Sequence, residues 1–179
     1  MQSLQQRLLG PPMISVSDAT PVDNDISSPC TPTAARELDG GDLRFAPVHR
    51  LVEMCVLSFE VDGELRESQA HFPMALFLVH QWWMPFSELG AHFVAQYKSA
   101  PKRCELCARG DNEHKSDIER CESTRYRTLL CHAVARWIRA FPMHFDANSQ
   151  LCKLVERLQT AALQDGFPHL ADLLDVSAV

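Results

Sequence analysis

The 179-residue chain contains no apolar run approaching the roughly 18 residues that a membrane span requires. It also lacks a glycine-rich phosphate loop, the HExxH pattern of zinc proteases and the GxSxG turn of serine hydrolases. The alternation of apolar and polar residues that is typical of half-buried strands is missing as well. These absences predict a helical protein without catalytic residues and without a transmembrane segment.

Basic residues are a minority. Seventeen lysines and arginines stand against 23 acidic residues, a net charge of −6, which argues against a nucleic-acid partner. The start of the chain, MQSLQQRLLGPPMISV, lacks the apolar core of a signal peptide, and Gln2 excludes a myristoylation signal. Seven cysteines without a secretory context indicate reduced thiols, so we expect a cytoplasmic protein.

Residues 1–43 differ in composition from the rest of the chain. They are rich in serine, threonine, proline and aspartate and almost free of aromatic residues, so they cannot bury enough apolar area to offset their ordering entropy. We predict a disordered tail there. From residue 44 the composition is that of a folded domain, with 46% hydrophobic and 22% charged residues over the whole chain.

Five helices are predicted after residue 44. The first begins near Pro47 and ends before the Asp62–Gly63 turn. The second, AHFPMALFLVHQWWM, is apolar nearly all round, and we expect it to be the most buried element. Pro85 should end it, and Ser87 should cap the third helix. A polar, charged insertion then occupies residues 101–122.

The fourth helix has the clearest periodicity, in the segment RYRTLLCHAVARWIRAFPMHFD. Its apolar positions alternate steps of three and one, while Arg127, Arg136 and Arg139 lie off that stripe and Pro142 stops the helix. Asp146 should cap a fifth helix, and Gly166 should end it. The predicted fold is all-α, an orthogonal or antiparallel bundle of about five to six helices over residues 44–166, with residues 167–179 as a linker.

The apolar stripes supply candidates for the core or for an interface with another domain, and the sequence leaves open which residues face inward. Aromatic residues at helical spacing more often report burial than a ligand box. His132 on the fourth helix is expected to be a flank or core histidine. The core or interface candidates are Trp82, Trp83, Phe93, Tyr97, Leu130, Val134, Trp137, Ile138, Phe141, Leu154 and Leu158.

The insertion carries one group of potential metal ligands, Cys104, Cys107, His114 and Cys121. Four such ligands within eighteen residues could hold a tetrahedral zinc ion, and the CxxC pair supplies half a site well. The histidine and cysteine seven residues apart match no familiar zinc knuckle, however. We therefore favour a solvated loop that happens to carry cysteines over a zinc site, and expect no metal or cofactor to be needed for folding.

Three segments together resemble the N-terminal module of Ras-family guanine nucleotide exchange factors, the Ras exchanger motif or REM domain. They are LVEMCVLSFEVDGELRES, then MALFLVHQWWMPFSELGAHFVAQYKSA, then LLCHAVARWIRAFPMHFDANSQLCKLVERLQTAALQDG. Within that group the chain looks most like the Ras guanyl-releasing proteins. The match runs from about residue 45 to 179, and the insertion 101–122 is longer than the resemblance leads us to expect.

The resemblance implies a supporting role and no catalysis by this chain. In the family, a helical hairpin of the catalytic CDC25-homology domain releases nucleotide, and the REM module buttresses that hairpin. The implied partner is that domain, intramolecular in a full-length protein, and Ras or Rap would be reached only indirectly. The full-length protein would be cytoplasmic, with recruitment to membranes.

Two further hypotheses compete with this one. The chain could be a helical protein-interaction adaptor with no exchange role, or an adaptor stabilised by zinc. The sequence does not separate Ras from Rap, because that choice would be made in the catalytic domain.

Overall fold

A computed structural model describes residues 46–111, 113–146 and 148–175. The tail predicted for residues 1–43 lies outside these residues, as do the last four residues of the chain. None of the helices described is long and apolar enough to cross a membrane.

The described residues form an all-helical unit, which confirms the predicted fold class. Their only β-type pairing is an isolated bridge between Phe59 and Leu65. Five of the α-helices have nine residues or more, and they correspond to the five predicted helices. In chain order the α-helices are α1 (Val48–Leu57), α2 (His71–Val79), α3 (Phe86–Ser99), α4 (Glu105–Ala108), α5 (Glu122–Ala140), α6 (Met143–Asp146), α7 (Ser149–Gln164) and α8 (Pro168–Leu173).

The helix ends follow from a few residues with special backbone properties. Pro85, and not the predicted Ser87 two residues later, occupies the N-cap of α3. Asn148, and not Asp146, caps α7, because its side chain accepts a hydrogen bond from the backbone N–H of Leu151 at 3.0 Å. As predicted, α7 ends before Gly166, whose φ of +85° suits glycine.

Helix α5 is the most buried element. Thirteen of its 19 residues are buried, and it packs against α1, α3 and α8. The predicted stripe lies in the core, but Thr124, Arg127 and Thr128 off the stripe are buried too. Because other helices cover α5 on more than one side, apolar periodicity alone underestimates how much of it is enclosed.

Helix α2 is less buried than predicted. Only Pro73, Leu76 and Phe77 of its nine residues are buried, while Leu78 is exposed and a 3₁₀ turn, His80–Trp82, follows the helix. The expectation that this segment is the most buried element is therefore wrong. Its apolar residues surround the helix, but its neighbours α1 and α5 cover only part of its surface.

The segment after Gly166 packs onto the bundle. Helix α8 lies against α7 and α5, and Leu170 and Leu174 are fully buried in the same core as the longer helices. Part of the stretch predicted as a linker, residues 167–174, thus contributes to the hydrophobic core.

Candidate functional site

An aromatic cluster surrounds Trp137 near the C-terminal end of α5. The indole is 1% exposed and stacks on Phe77 of α2, with ring centroids 5.3 Å apart and planes 1° from parallel. His80 meets its edge at 5.4 Å, and Phe145 lies 5.3 Å away on α6. The indole N–H donates a hydrogen bond of 3.0 Å to Nδ1 of His144. The cluster ties α2, α5 and α6 together through one side chain.

Phe141 and Pro142 end α5 and position the residues that complete this cluster. The helix ends where the N–H of Phe141 bonds to the carbonyl of Trp137, and Pro142 cannot continue the ladder. The Pro142 carbonyl then accepts the N–H of Phe145 at 2.8 Å, which starts the single turn of α6. This reversal brings His144 next to the indole and stacks its ring on Phe141, with centroids 5.0 Å apart.

The pKa values of two histidines in the cluster are lowered. Burial lowers the pKa of His80, although its Nδ1–H donates a hydrogen bond to the Leu76 carbonyl at 3.1 Å. Burial lowers the pKa of His144 as well, and the nearby His80 adds to the effect. Because Nδ1 of His144 accepts the Trp137 N–H, protonating that atom would break the hydrogen bond.

The sequence-predicted candidates divide into three groups. Phe141 and Leu154 are partly buried, and Trp82 and Trp83 are exposed, so the core interpretation does not hold for this tryptophan pair. The remaining candidates are all buried in the main core: Phe93, Tyr97, Leu130, Val134, Trp137, Ile138 and Leu158.

An exposed apolar surface flanks the aromatic cluster. Trp82 is 79% exposed and Trp83 47% exposed, and Leu78 and Met143 are also largely exposed. These four side chains, which we call the Trp82–Trp83 surface, come from two segments that meet inside the cluster, because the rings of His80 and His144 lie 5.8 Å apart. Large exposed apolar residues next to a well-packed core are typical of protein-interaction sites.

The sequence patterns did not predict the burial of one charged side chain. Arg127 is 4% exposed, forms a 3.2 Å ion pair with Asp165 and lies over the ring of Tyr97. The stripe pattern placed Arg127 outside the core. Arg127 directly follows the stripe residue Tyr126 in the sequence, and an arginine on an enclosed helix needs a charged partner.

His132 supports a turn and is not part of a ligand group. Its Nε2 lies 3.1 Å from the carbonyl of Val61, in the Asp62–Gly63 turn. A Cβ placed on Gly63 would stand 2.6 Å from Nδ1 of His132, and the φ of this glycine is +91°. The turn can therefore approach α5 only because residue 63 has no side chain.

The four potential metal ligands of the insertion converge. The ligand atoms of Cys104, Cys107, His114 and Cys121 all lie within 4.8 Å of one another. Nε2 of His114 is 3.1 Å from the Cys104 sulfur and 3.4 Å from the Cys107 sulfur, and the sulfurs of Cys107 and Cys121 are 3.5 Å apart. We refer to these residues as the thiol–imidazole cluster; among the residues that the structure describes, it is the group of ligands that could hold a metal.

Backbone amides contact two of the three sulfurs. The N–H of Cys107 donates to the Cys104 sulfur and is the main cause of a lowered pKa for that thiol. Burial raises the pKa of Cys121, but hydrogen bonds from Thr124, including its N–H at 3.4 Å, outweigh burial and lower it. Burial and the neighbouring Cys121 raise the pKa of Cys107 to about 11.

Comparisons with known proteins point to one group of exchange factors. The chain is 25% identical to Ras guanyl-releasing protein 3 of Homo sapiens over 134 residues, and this matched region is 75% of the chain. It is 26% identical over 143 residues, or 79% of its length, to RAS guanyl-releasing protein 2-B of Xenopus laevis. RAS guanyl-releasing protein 4 of Rattus norvegicus is 25% identical over 131 residues, which is 73% of this chain. This similarity supports a relationship to the Ras guanyl-releasing proteins.

The comparisons cover only a small part of those proteins. The chain spans 16% of the human and rat relatives and 20% of the Xenopus relative. No protein-family model matches it.

Proposed function

We propose that this chain is a REM-like supporting module of a Ras-family guanine nucleotide exchange factor, which stabilises a CDC25-homology catalytic domain. Three observations support the proposal: the similarity to three Ras guanyl-releasing proteins, the all-helical fold and the exposed apolar surface beside Trp137. The module would act in the cytoplasm on Ras or Rap signalling, and would influence the GTPase only through the catalytic domain.

The Trp82–Trp83 surface is the observation that carries this proposal. Trp82 lies on the same 3₁₀ turn as His80, whose buried ring packs against Trp137, while the Trp82 side chain is 79% exposed. Aromatic side chains on rigid supports are typical energetic centres of protein interfaces. The occupant we propose for this surface is the catalytic domain of the same polypeptide, since the proteins it resembles are several times longer than the matched region.

The module in this proposal has no catalytic role of its own. The sequence has no phosphate-binding loop, and the proposed role is support of another domain. We place the module at residues 44–174, extending the predicted 44–166 domain, because α8 contributes Leu170 and Leu174 to the core. The segment 1–43 remains a proposed tail and the residues beyond 174 a proposed linker.

A binding measurement tests the proposed contact. The chain would be titrated against the catalytic half of human Ras guanyl-releasing protein 3 in a calorimeter or an analytical ultracentrifuge. We expect a complex that is weakened at least about tenfold by Trp82→Ala with Trp83→Ala, as for an interface hot spot. The matched control is Leu163→Ala, an exposed apolar residue on α7 far along the chain from this surface, which should leave binding unchanged.

Two results would speak against the proposal. Equal weakening by the tryptophan and Leu163 variants would show that the contact is not at the Trp82–Trp83 surface. Absence of any complex, together with binding of this surface to an unrelated helical partner, would favour the adaptor hypothesis instead.

A further inference from the structure

The insertion brings four soft ligands to one point, outside the main core. We propose that Cys104, Cys107, His114 and Cys121 bind a structural zinc ion. This inference does not depend on the proposed function, because it concerns how the insertion is held and not what the bundle contacts.

The separations of the ligand atoms fit a tetrahedral ion. With Zn–S bonds of about 2.3 Å and a Zn–N bond of about 2.0 Å, a tetrahedral site places its sulfurs about 3.8 Å apart and its nitrogen about 3.5 Å from each sulfur. The observed separations of 3.1, 3.4 and 3.5 Å differ from these values by a few tenths of an ångström. All remaining pairs are also within 4.8 Å.

The donor set selects the metal and its role. Three cysteines and one histidine are a ligand combination of structural zinc sites, whereas magnesium and calcium prefer oxygen ligands. Four protein ligands fill a tetrahedral shell and leave no position for a water molecule or a substrate, which indicates a structural ion and not a catalytic one. The spacing of seven between His114 and Cys121 is accommodated by a 3₁₀ turn, Glu113–Ser116, and a further turn before α5.

The surroundings of the ligands are arranged for thiolates. The backbone N–H of Thr124 points at the Cys121 sulfur from the first turn of α5, at 3.4 Å. Such outer-shell hydrogen bonds orient metal ligands and offset the charge on sulfur. Nε2 of His114 has only sulfur atoms as neighbours within hydrogen-bond distance, so a shared cation would satisfy it better than two thiols do.

An ion at this point explains how a polar insertion keeps its structure. The buried apolar residues of the insertion form a separate group that contains only the three cysteines, and Leu106 is exposed. Such a group is too small to order the residues between α3 and α5 by burial alone. A metal would close the loop from Cys104, which follows the 3₁₀ turn Ala100–Arg103 after α3, to Cys121, which caps α5.

The main bundle should not need this ion. None of the four ligands belongs to the core that contains Trp137 and the other large buried side chains. The bound ion would instead fix the segment beside Arg103. The Arg103 side chain bonds to Glu53 of α1 at 2.7 Å and stacks over the ring of Tyr126. The expected role is local: zinc orders the insertion and the start of α5.

The test is the zinc content of the full 179-residue chain, purified without chelator and measured by elemental mass spectrometry. We expect one zinc per chain in the wild type, loss of the metal in Cys107→Ser and His114→Ala, and retention in His114→Cys, which restores four ligands. Cys152→Ser is the matched control, because Cys152 is a free thiol outside the cluster, and it should keep the metal.

A structural readout accompanies the metal count. Stripping the wild-type chain should accelerate amide hydrogen exchange in residues 104–121 by about tenfold or more, with little change in α7, and adding zinc alone should reverse it. Substoichiometric zinc in the wild type, equal retention by all variants, or a Cys107–Cys121 disulfide in the freshly purified chain would overturn the proposal. Unchanged exchange after stripping would overturn the structural role.

Discussion

Replacing Trp137 with alanine should bring the bundle close to unfolding. The side chain is 1% exposed and fills the space between Phe77, His80 and Phe145. Truncating a buried tryptophan to alanine typically costs about 3–5 kcal/mol. The substitution also removes the N–H that His144 accepts, and a buried polar atom left without its partner adds about 1–3 kcal/mol. A domain of this kind has only about 5–15 kcal/mol of stability in total.

The assay is thermal unfolding followed by circular dichroism, with two companion variants. The truncation cost of about 3–5 kcal/mol alone corresponds to a Tm lower by roughly 10–20 °C for a domain of this size, and the lost hydrogen bond lowers the Tm further. Trp137→Phe retains the stacking on Phe77 but loses the hydrogen bond to His144, so its Tm should lie between those of the wild type and Trp137→Ala. Arg136→Ala, at an exposed neighbouring position, should change stability by no more than about 0.5 kcal/mol.

The reasoning would be refuted by equal melting temperatures for the wild type and Trp137→Ala. It would also fail if Arg136→Ala were the more damaging change. Either result would mean that α5 does not present Trp137 to the core. Reduced Tm in Trp137→Ala with a wild-type Tm in Trp137→Phe would show instead that packing, and not the hydrogen bond, accounts for the effect.

Three other outcomes are expected. The isolated chain should not accelerate release of fluorescent nucleotide from Ras or Rap, and stimulation that scales with its concentration would contradict this. Gly63→Ala should lower the stability by about 1–3 kcal/mol, because residue 63 has a positive φ and a Cβ there would clash with His132. Gly166 also has a positive φ but no atom within 4 Å of a Cβ placed on it, so chemical denaturation should show a smaller loss for Gly166→Ala. Burial lowers the pKa of His80 and His144, so the folded state should have its full stability above the unfolded histidine pKa of about 6.5. Below that pH, the free energy of unfolding should fall by up to about 1.4 kcal/mol per pH unit for each histidine. Melting temperatures that do not change between pH 7 and 5 would contradict this.

Periodicity predicted helices such as α5 and α7 well because the apolar stripe of each lies in the core. The step pattern from Tyr126 to Ile138 identified the core face of α5, and glycine or proline marked several helix ends. Apolar spacing did not distinguish Trp82 and Trp83, which are exposed, from the residues of the core. The sequence of an apolar segment does not show whether neighbouring helices cover all of it or only one side. The coverage of α2 depends on how far α1 and α5 extend over it.

Tertiary contacts decide the features that the sequence left open. Arg127 is buried because Asp165, 38 residues later in the chain, comes within 3.2 Å. The thiol–imidazole cluster forms because α4 and the turns after it fold back onto the N-cap of α5. A spacing rule that considers ligands only along the sequence does not detect such a return, so the spacing of the ligands favours the loop interpretation.

The most direct test of the supporting role is a nucleotide-release measurement on a chimera. In human Ras guanyl-releasing protein 3, the region that matches this chain would be replaced by it, and release from Ras and Rap would be compared with that of the protein lacking the region. We expect the chimera to release nucleotide faster than the truncated protein, and Trp82→Ala with Trp83→Ala to remove that gain while leaving the melting of the isolated chain unchanged. Equal rates for the folded chimera and the truncated protein would contradict the account.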